Sequence, residues 1–139
     1  FKNNPSYPAF LKLNEINKKL VFKENIKNIN IKVIKVQHGR IKCLSFIINN
    51  KCAYASDVNL IYKNDLKFFF NLEFLVIDCL KYSFHPSHYT LNEILKLIKI
   101  INPKKTILTN LHSDLDYNLL LKKLPKNVIP AHDGLSLNL

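Results

Sequence analysis

From Asn30 to Val36 apolar side chains follow the alternation of a strand, with Ile31 and Val33 on one side and Ile34 and Val36 on the other. The pattern stops at Gln37-His38-Gly39-Arg40. Ile41 to Ile48 reads as a second strand, Asn49-Asn50 as its turn, and Cys52 to Ser56 as a short third strand ending at Asp57. Together these three predict an antiparallel meander. Residues 1–27 mix polar and apolar positions around Pro5 and Pro8 with no clear period.

Beyond Asp57 the period changes. Lys63 to Phe70 predicts a helix, and Glu73 to Cys79, with Phe74-Leu75-Val76-Ile77 in one run, a buried central strand. Leu80 to Tyr89 is a loop containing Pro86. Thr90-x-x-Glu93 is a capping box, and Leu91, Ile94, Leu95, Ile98 and Ile101 share one face of the helix it opens. Pro103 ends that helix. Lys105 to Leu108 is a strand, and Tyr117 to Leu124 a helix stopped by Pro125. Val128 to Ala131 and Leu135 to Leu139 are short strands joined by a two-residue Asp133-Gly134 turn. A β-rich first half thus precedes a β-α-β-α-β second half, the pattern of a sheet with crossover helices. The fold class is α/β.

At 139 residues the chain is one domain at most, and its 47% apolar content is enough for a packed core. No apolar run approaches the roughly 18 residues that span a bilayer, so no membrane partner is expected. Phe1 to Pro8 lacks a signal-peptide pattern. A sequence that opens on Phe1 and holds no Met suggests an excerpt from a longer chain. Cys43, Cys52 and Cys79 are an odd, widely spaced set, which argues against a disulfide framework and for a reducing, cytoplasmic setting. The net charge of +11 would suit a nucleic acid or phosphate. However, the lysines are scattered and Arg40 is the only arginine, so the guanidinium forks of base readout are missing.

Ligands in crossover sheets bind where strands end and loops begin. Four such places carry His or Asp: His38, Asp57, the loop from Asp78 to His88, and the loop from Asn110 to Asp116. Imidazole nitrogens and carboxylate oxygens are the donors of a catalytic metal site. His85-Pro86-Ser87-His88 sets two imidazoles just before the capped helix, whose N-terminus favours their neutral form. That suits a proton shuttle or an anion contact, although an exposed loop also commonly carries histidines. Asn110 to Tyr117 packs two carboxylates, an imidazole and a phenol into eight residues, and Asp114 or Asp116 is placed to cap the next helix. His132, beside Asp133-Gly134, reads as a turn residue.

These segments resemble the metallo-β-lactamase-fold hydrolases related to phosphoribosyl cyclic phosphate phosphodiesterase and, more distantly, tRNase Z. The resemblance runs from about Tyr7-Pro8 to the C-terminus. It rests on Val36-Gln37-His38-Gly39, Tyr54-Ala55-Ser56-Asp57, Ile77-Asp78-Cys79-Leu80-Lys81-Tyr82, His85-Pro86-Ser87-His88, Leu108 to Tyr117, and Pro130-Ala131-His132-Asp133-Gly134-Leu135. It implies that residues 1–139 are the C-terminal half of one αββα sandwich. It also implies a dinuclear site of zinc or manganese. Within it His38 matches a metal-ligand histidine, Asp57 the carboxylate that bridges the two metals, and His88 an active-site histidine that contacts the substrate phosphate or acts as acid, with His85 beside it. The last ligand of the family lies in a Leu-Thr-His motif. Here Asn110 holds that position and His112 stands two residues on, so His112 is the implied ligand. The family's His-x-His-x-Asp-His signature does not occur in this sequence.

The expected function is a metal-dependent phosphodiesterase for a small cyclic phosphodiester, its site completed by a half outside this sequence. The alternatives are an RNA-processing nuclease of the tRNase Z type and a non-catalytic remnant of the fold. The expected partners are the small substrate, without specific nucleic-acid readout, and a second copy of the chain in a homodimer.

Overall fold

The computed structural model describes residues 19–24 and 27–138. Seven strands form one sheet in chain order: β1 (Lys19–Glu24), β2 (Lys27–His38), β3 (Ile41–Ile48), β4 (Cys52–Ala55), β5 (Phe74–Asp78), β6 (Lys105–Thr109) and β7 (Val128–Pro130). The pairs β1–β2, β2–β3 and β3–β4 are antiparallel, and β4–β5, β5–β6 and β6–β7 are parallel. Two helices, α1 (Leu91–Ile101) and α2 (Tyr117–Lys123), link the last three strands. This is the meander followed by crossovers that the sequence pattern predicts. Because β3 reverses twice, β2 runs parallel to β4 through β7, and the C-terminal ends of all five strands lie along one edge of the sheet.

The register assigns side chains to faces. Ile34 and Val36 of β2, Ile47 of β3, Ala53 and Ala55 of β4, Leu75 and Ile77 of β5, and Leu108 of β6 share one face through successive pairings. All are buried, and they form one cluster with Ile94, Ile98 and Ile101 of α1 and Leu120 of α2. The helices therefore cover this face. On the opposite face Leu44 and Tyr54 remain exposed, and Val33, Phe46, Phe74 and Val76 are half-buried.

Both helices begin as their sequences require. The Thr90 hydroxyl accepts from the Glu93 amide at 3.3 Å, and the Glu93 carboxylate accepts from the Thr90 amide at 2.8 Å, closing the capping box. Asn102 adopts the left-handed conformation (φ 49°) and ends α1 one residue before Pro103. Asp116, rather than Asp114, caps α2, its carboxylate accepting from Leu119 N at 2.8 Å.

Three expectations are corrected. The helix expected from Lys63 to Phe70 is a single 3₁₀ turn, Leu66–Phe69. Its aromatic residues favour burial over helix extension, and Phe69 sits in the core as an anchor. The strand expected at 135–139 is not formed over 135–138, and residue 139 lies outside the described residues. The Asp133-Gly134 turn is present, with Leu135 N bonded to His132 O at 3.1 Å, but it leads into irregular chain. Strand β1, where no period was evident, pairs along its whole length with β2 from Lys19↔Lys32 to Glu24↔Lys27. Its apolar residues, Leu20-Val21-Phe22, are consecutive and hide the alternation. Residues 1–18, where the resemblance begins, lie outside the described residues. Among the described residues no helix is long and apolar enough to cross a membrane.

Candidate metal centre at the strand ends

The strand-end edge carries the chemistry. His38 is the last residue of β2, and Asp57 lies two residues beyond β4. Asp78 ends β5, and His88 lies on the loop between β5 and α1. Although far apart in sequence, His38, Asp57 and His88 each place one donor atom within 4.8 Å of the others. The His38 and His88 rings meet edge to face with centroids 4.6 Å apart.

Each imidazole is held by its Nδ1. His38 Nδ1 lies 2.7 Å from the carbonyl oxygen of Ser87, and His88 Nδ1 lies 2.5 Å from Oδ2 of Asp78. A carbonyl or carboxylate on Nδ1 fixes the ring and leaves Nε2 free, the usual outer support of a metal-binding histidine. Two imidazoles and one carboxylate, with rings so oriented, form a donor set that can hold a divalent metal ion.

Asp78 is fully buried. Burial pushes its carboxyl pKa up to about 6, against the opposing pull of the Val58 amide, of His88 and of the nearby Asn110 amide. The Val58 N–H donates to Oδ2 at 3.2 Å, whereas Oδ1 has no hydrogen-bond partner among the described residues. The role of Asp78 was not read from the sequence. The available signal was a carboxylate ending the most apolar strand, where a charge must have a partner.

His85 stacks obliquely on His88, with centroids 5.0 Å apart, and its Nδ1 accepts from the Ser87 amide at 3.3 Å. Desolvation lowers its pKa, helped by His88, Lys81 and His38. His112 is not among the three converging residues. It is exposed, with Nδ1 3.3 Å from Asp114 Oδ1, while its amide donates to Leu80 O at 2.8 Å. Asn110, in the left-handed conformation at φ 58°, donates from Nδ2 to Ser56 O at 2.6 Å, next to Asp57. His132 stays at its turn, edge to face with Tyr117 at 6.1 Å.

No family model matches the chain, and no curated protein matches it. Solved structures do. A diphosphatase of the PhnP family superposes with a TM-score of 0.83 at 23% identity, over 92% of this chain and 49% of that one. The metallo-β-lactamase fold protein YhfI from Bacillus subtilis gives 0.68 at 17% identity, over 86% and 53% respectively. The chain has the metallo-β-lactamase fold. Human tRNase Z, short form, also superposes, with a TM-score of 0.61 at 14% identity, over 85% of this chain and 44% of its own.

The chain thus spans about half the length of the metallo-β-lactamase-fold structures it matches. The chain forms the expected α/β half-sandwich, one sheet with its helices on one face. In this half-fold the converging donors sit at the sheet edge, clear of the helix-covered core.

Proposed function

We propose that this chain is part of a metal-dependent hydrolase, a phosphodiesterase for a small, cyclic phosphodiester. The observation that carries the reading is the convergence of His38, Asp57 and His88 within 4.8 Å at the strand ends. His38 and Asp57 would hold metal, Asp57 as the bridging carboxylate of a dinuclear zinc or manganese site. His112 would supply a further donor by turning its side chain from Asp114. The remaining donors would come from residues outside this sequence, since the chain lacks a His-x-His-x-Asp-His motif. When bound, such ions supply Lewis acidity toward a phosphoryl oxygen and favour the ionisation of water.

The chain's own residues then divide the rest. His88, held by Asp78, would present Nε2 to the phosphate or to the leaving oxygen and hold a proton there. His85, desolvated and beside it, would line the same opening. Likeness to a diphosphatase supports chemistry at a phosphate. Likeness to human tRNase Z and the net charge of +11 favour a second reading, an RNA-processing nuclease. The solitary arginine, Arg40, gives that reading little support.

The deciding experiment is turnover by the full-length protein with zinc or manganese. Its substrates are bis-p-nitrophenyl phosphate, a ribose cyclic phosphodiester and a precursor tRNA. Hydrolysis of the small diesters, lost in Asp57→Ala and His38→Ala, is the expected result. Cleavage of the tRNA alone would select the nuclease. No turnover of any substrate would sink both and leave a non-catalytic remnant.

A further inference from the structure

Asn59 lies two residues past Asp57 and belongs to none of the converging donors. Its backbone is pinned to β2: Asn59 N donates to Gln37 O at 2.9 Å, and Gln37 N to Leu60 O at 3.0 Å. Its side chain reaches two further segments. Oδ1 accepts from the Gly39 amide at 3.0 Å, and Nδ2 donates to Pro86 O at 3.1 Å. One partner is an N–H and the other a carbonyl, so the orientation of the amide is fixed by what it meets.

Those two segments are the ones that carry His38 and His88. Gly39 follows His38, and Pro86 lies two residues before His88. They also touch directly: a Cβ built on Gly39 would lie 2.8 Å from the Ser87 Cβ, and the Ser87 carbonyl meets His38 Nδ1 at 2.7 Å. The β2–β3 turn and the histidine loop are thus closed on each other around one amide. Leucine has the shape of asparagine but offers neither bond, and serine could not span both partners.

We propose that Asn59 is a positioning residue that sets the separation of His38 and His88 by clamping the Gly39 amide and the Pro86 carbonyl. As a statement about metal affinity this rests on the proposed metal site, whereas as a statement about ring geometry it does not. The test is made on full-length protein carrying Asn59→Leu or Asn59→Ala, with His38→Ala and His88→Ala as references. Cobalt(II) binding is followed by its visible absorption, and ring proximity by nuclear Overhauser contacts in histidine-labelled, metal-free protein.

The clamp predicts native far-UV circular dichroism, a cobalt affinity lower by about 10-fold or more, a changed band shape at saturation, and loss of the His38–His88 ring contact. A purely structural role would lower the melting temperature and leave the saturated cobalt spectrum and the ring contact as they are. Wild-type affinity together with a retained ring contact in both Asn59 variants would overturn the clamp. If His38→Ala and His88→Ala also bind cobalt like wild type, the metal reading fails, and the ring contact alone decides the clamp.

Discussion

Oδ2 of Asp78 lies 2.5 Å from Nδ1 of His88, and the carboxylate is fully buried while the imidazole is only partly so. Burial raises the Asp78 pKa from 3.8 to about 6, so the charged form held at neutral pH is a cost to folding. For a raised acid, the stabilising contribution is complete below its unfolded value and is lost as pH rises through the folded one. Asp78→Asn removes that cost and keeps an acceptor for the Val58 amide. It also removes the anion that orients His88. The expected outcome is a melting temperature unchanged or raised at pH 7, with phosphodiester turnover lower by about 10–100-fold and metal content unchanged. Paired thermal melts, turnover assays and elemental analysis on the full-length protein check it. A variant that loses stability but keeps its turnover would show that Asp78 serves the core alone.

His112 and Asn110 can be told apart by metal content. Imidazole is a good donor to zinc, and a neutral amide is a poor one. His112→Ala is expected to lower bound metal in the full-length protein far more than Asn110→Ala does. The latter frees the Ser56 carbonyl that Asn110 holds at 2.6 Å and removes an amide beside Asp78, neither of which supplies a metal donor. Elemental analysis after gel filtration measures both. Equal content would remove His112 from the ligand set.

The two glycines predict unequal costs. Both have positive φ, 58° at Gly39 and 84° at Gly134, so alanine at either is strained by about 1–2 kcal/mol. At Gly134 a Cβ meets nothing within 4 Å, whereas at Gly39 it meets the Ser87 Cβ at 2.8 Å. Gly39→Ala should therefore cost about 1–3 kcal/mol more than Gly134→Ala, because the histidine loop must move aside. Urea unfolding of the two variants compares them directly. Equal losses would mean the turn is not packed on that loop.

Burial predicts which thiols react. Cys79 is fully buried, and its pKa is pushed from 9.0 to about 12, first by burial and then by the Asp78 charge. Burial raises Cys52 as well, while Cys43 is half-buried. All three are free thiols. Ellman's reagent at pH 8 should reach Cys43 first, and Cys52 and Cys79 only on unfolding. The neutral Cys79 thiol supports the fold fully below about 9 and loses that contribution as pH rises toward 12. Prompt labelling of Cys79 in the native state would contradict its placement.

Local signals carried most of the fold because they are written in adjacent residues. Thr90 with Glu93 announced α1, Pro103 its end, and the Phe74 to Ile77 run the central strand. The strand-end positions of His38 and Asp57 and the loop position of His88 were legible for the same reason. What escaped depends on contacts between distant segments. The Asp78–His88 bond spans 10 residues and the His38–Ser87 bond 49, and neither leaves a mark in local sequence. At Lys63 to Phe70 helical spacing was outweighed by the burial of Phe69. At Leu135 alternation was present, but residues 135–138 join no strand of the sheet among the described residues.

Opposite the helices lies the second face of the sheet. Tyr54 and Leu44 are 43% and 38% exposed there, beside half-buried Val33, Phe46, Phe74 and Val76. Cys52 and Ile107 on the same face are buried, but around Tyr54 and Leu44 the face is apolar and, among the described residues, covered by neither helix; apolar patches of this kind mark a missing partner or a tendency to aggregate. Expressed alone, the 139-residue chain should self-associate despite its net charge of +11. The three converging donors are too few to hold two metals, so it should also give no turnover of bis-p-nitrophenyl phosphate with zinc or manganese. Replacing Tyr54 and Leu44 together by lysine adds charge where association would bury the face, and should shift the chain toward monomer without unfolding it. Sedimentation velocity on both proteins, with circular dichroism as the control for folding, makes the comparison. A wild-type chain that stays monomeric at tens of micromolar would show that this face needs no cover. Metal-dependent turnover by the isolated chain would require donors beyond His38, Asp57, His88 and His112.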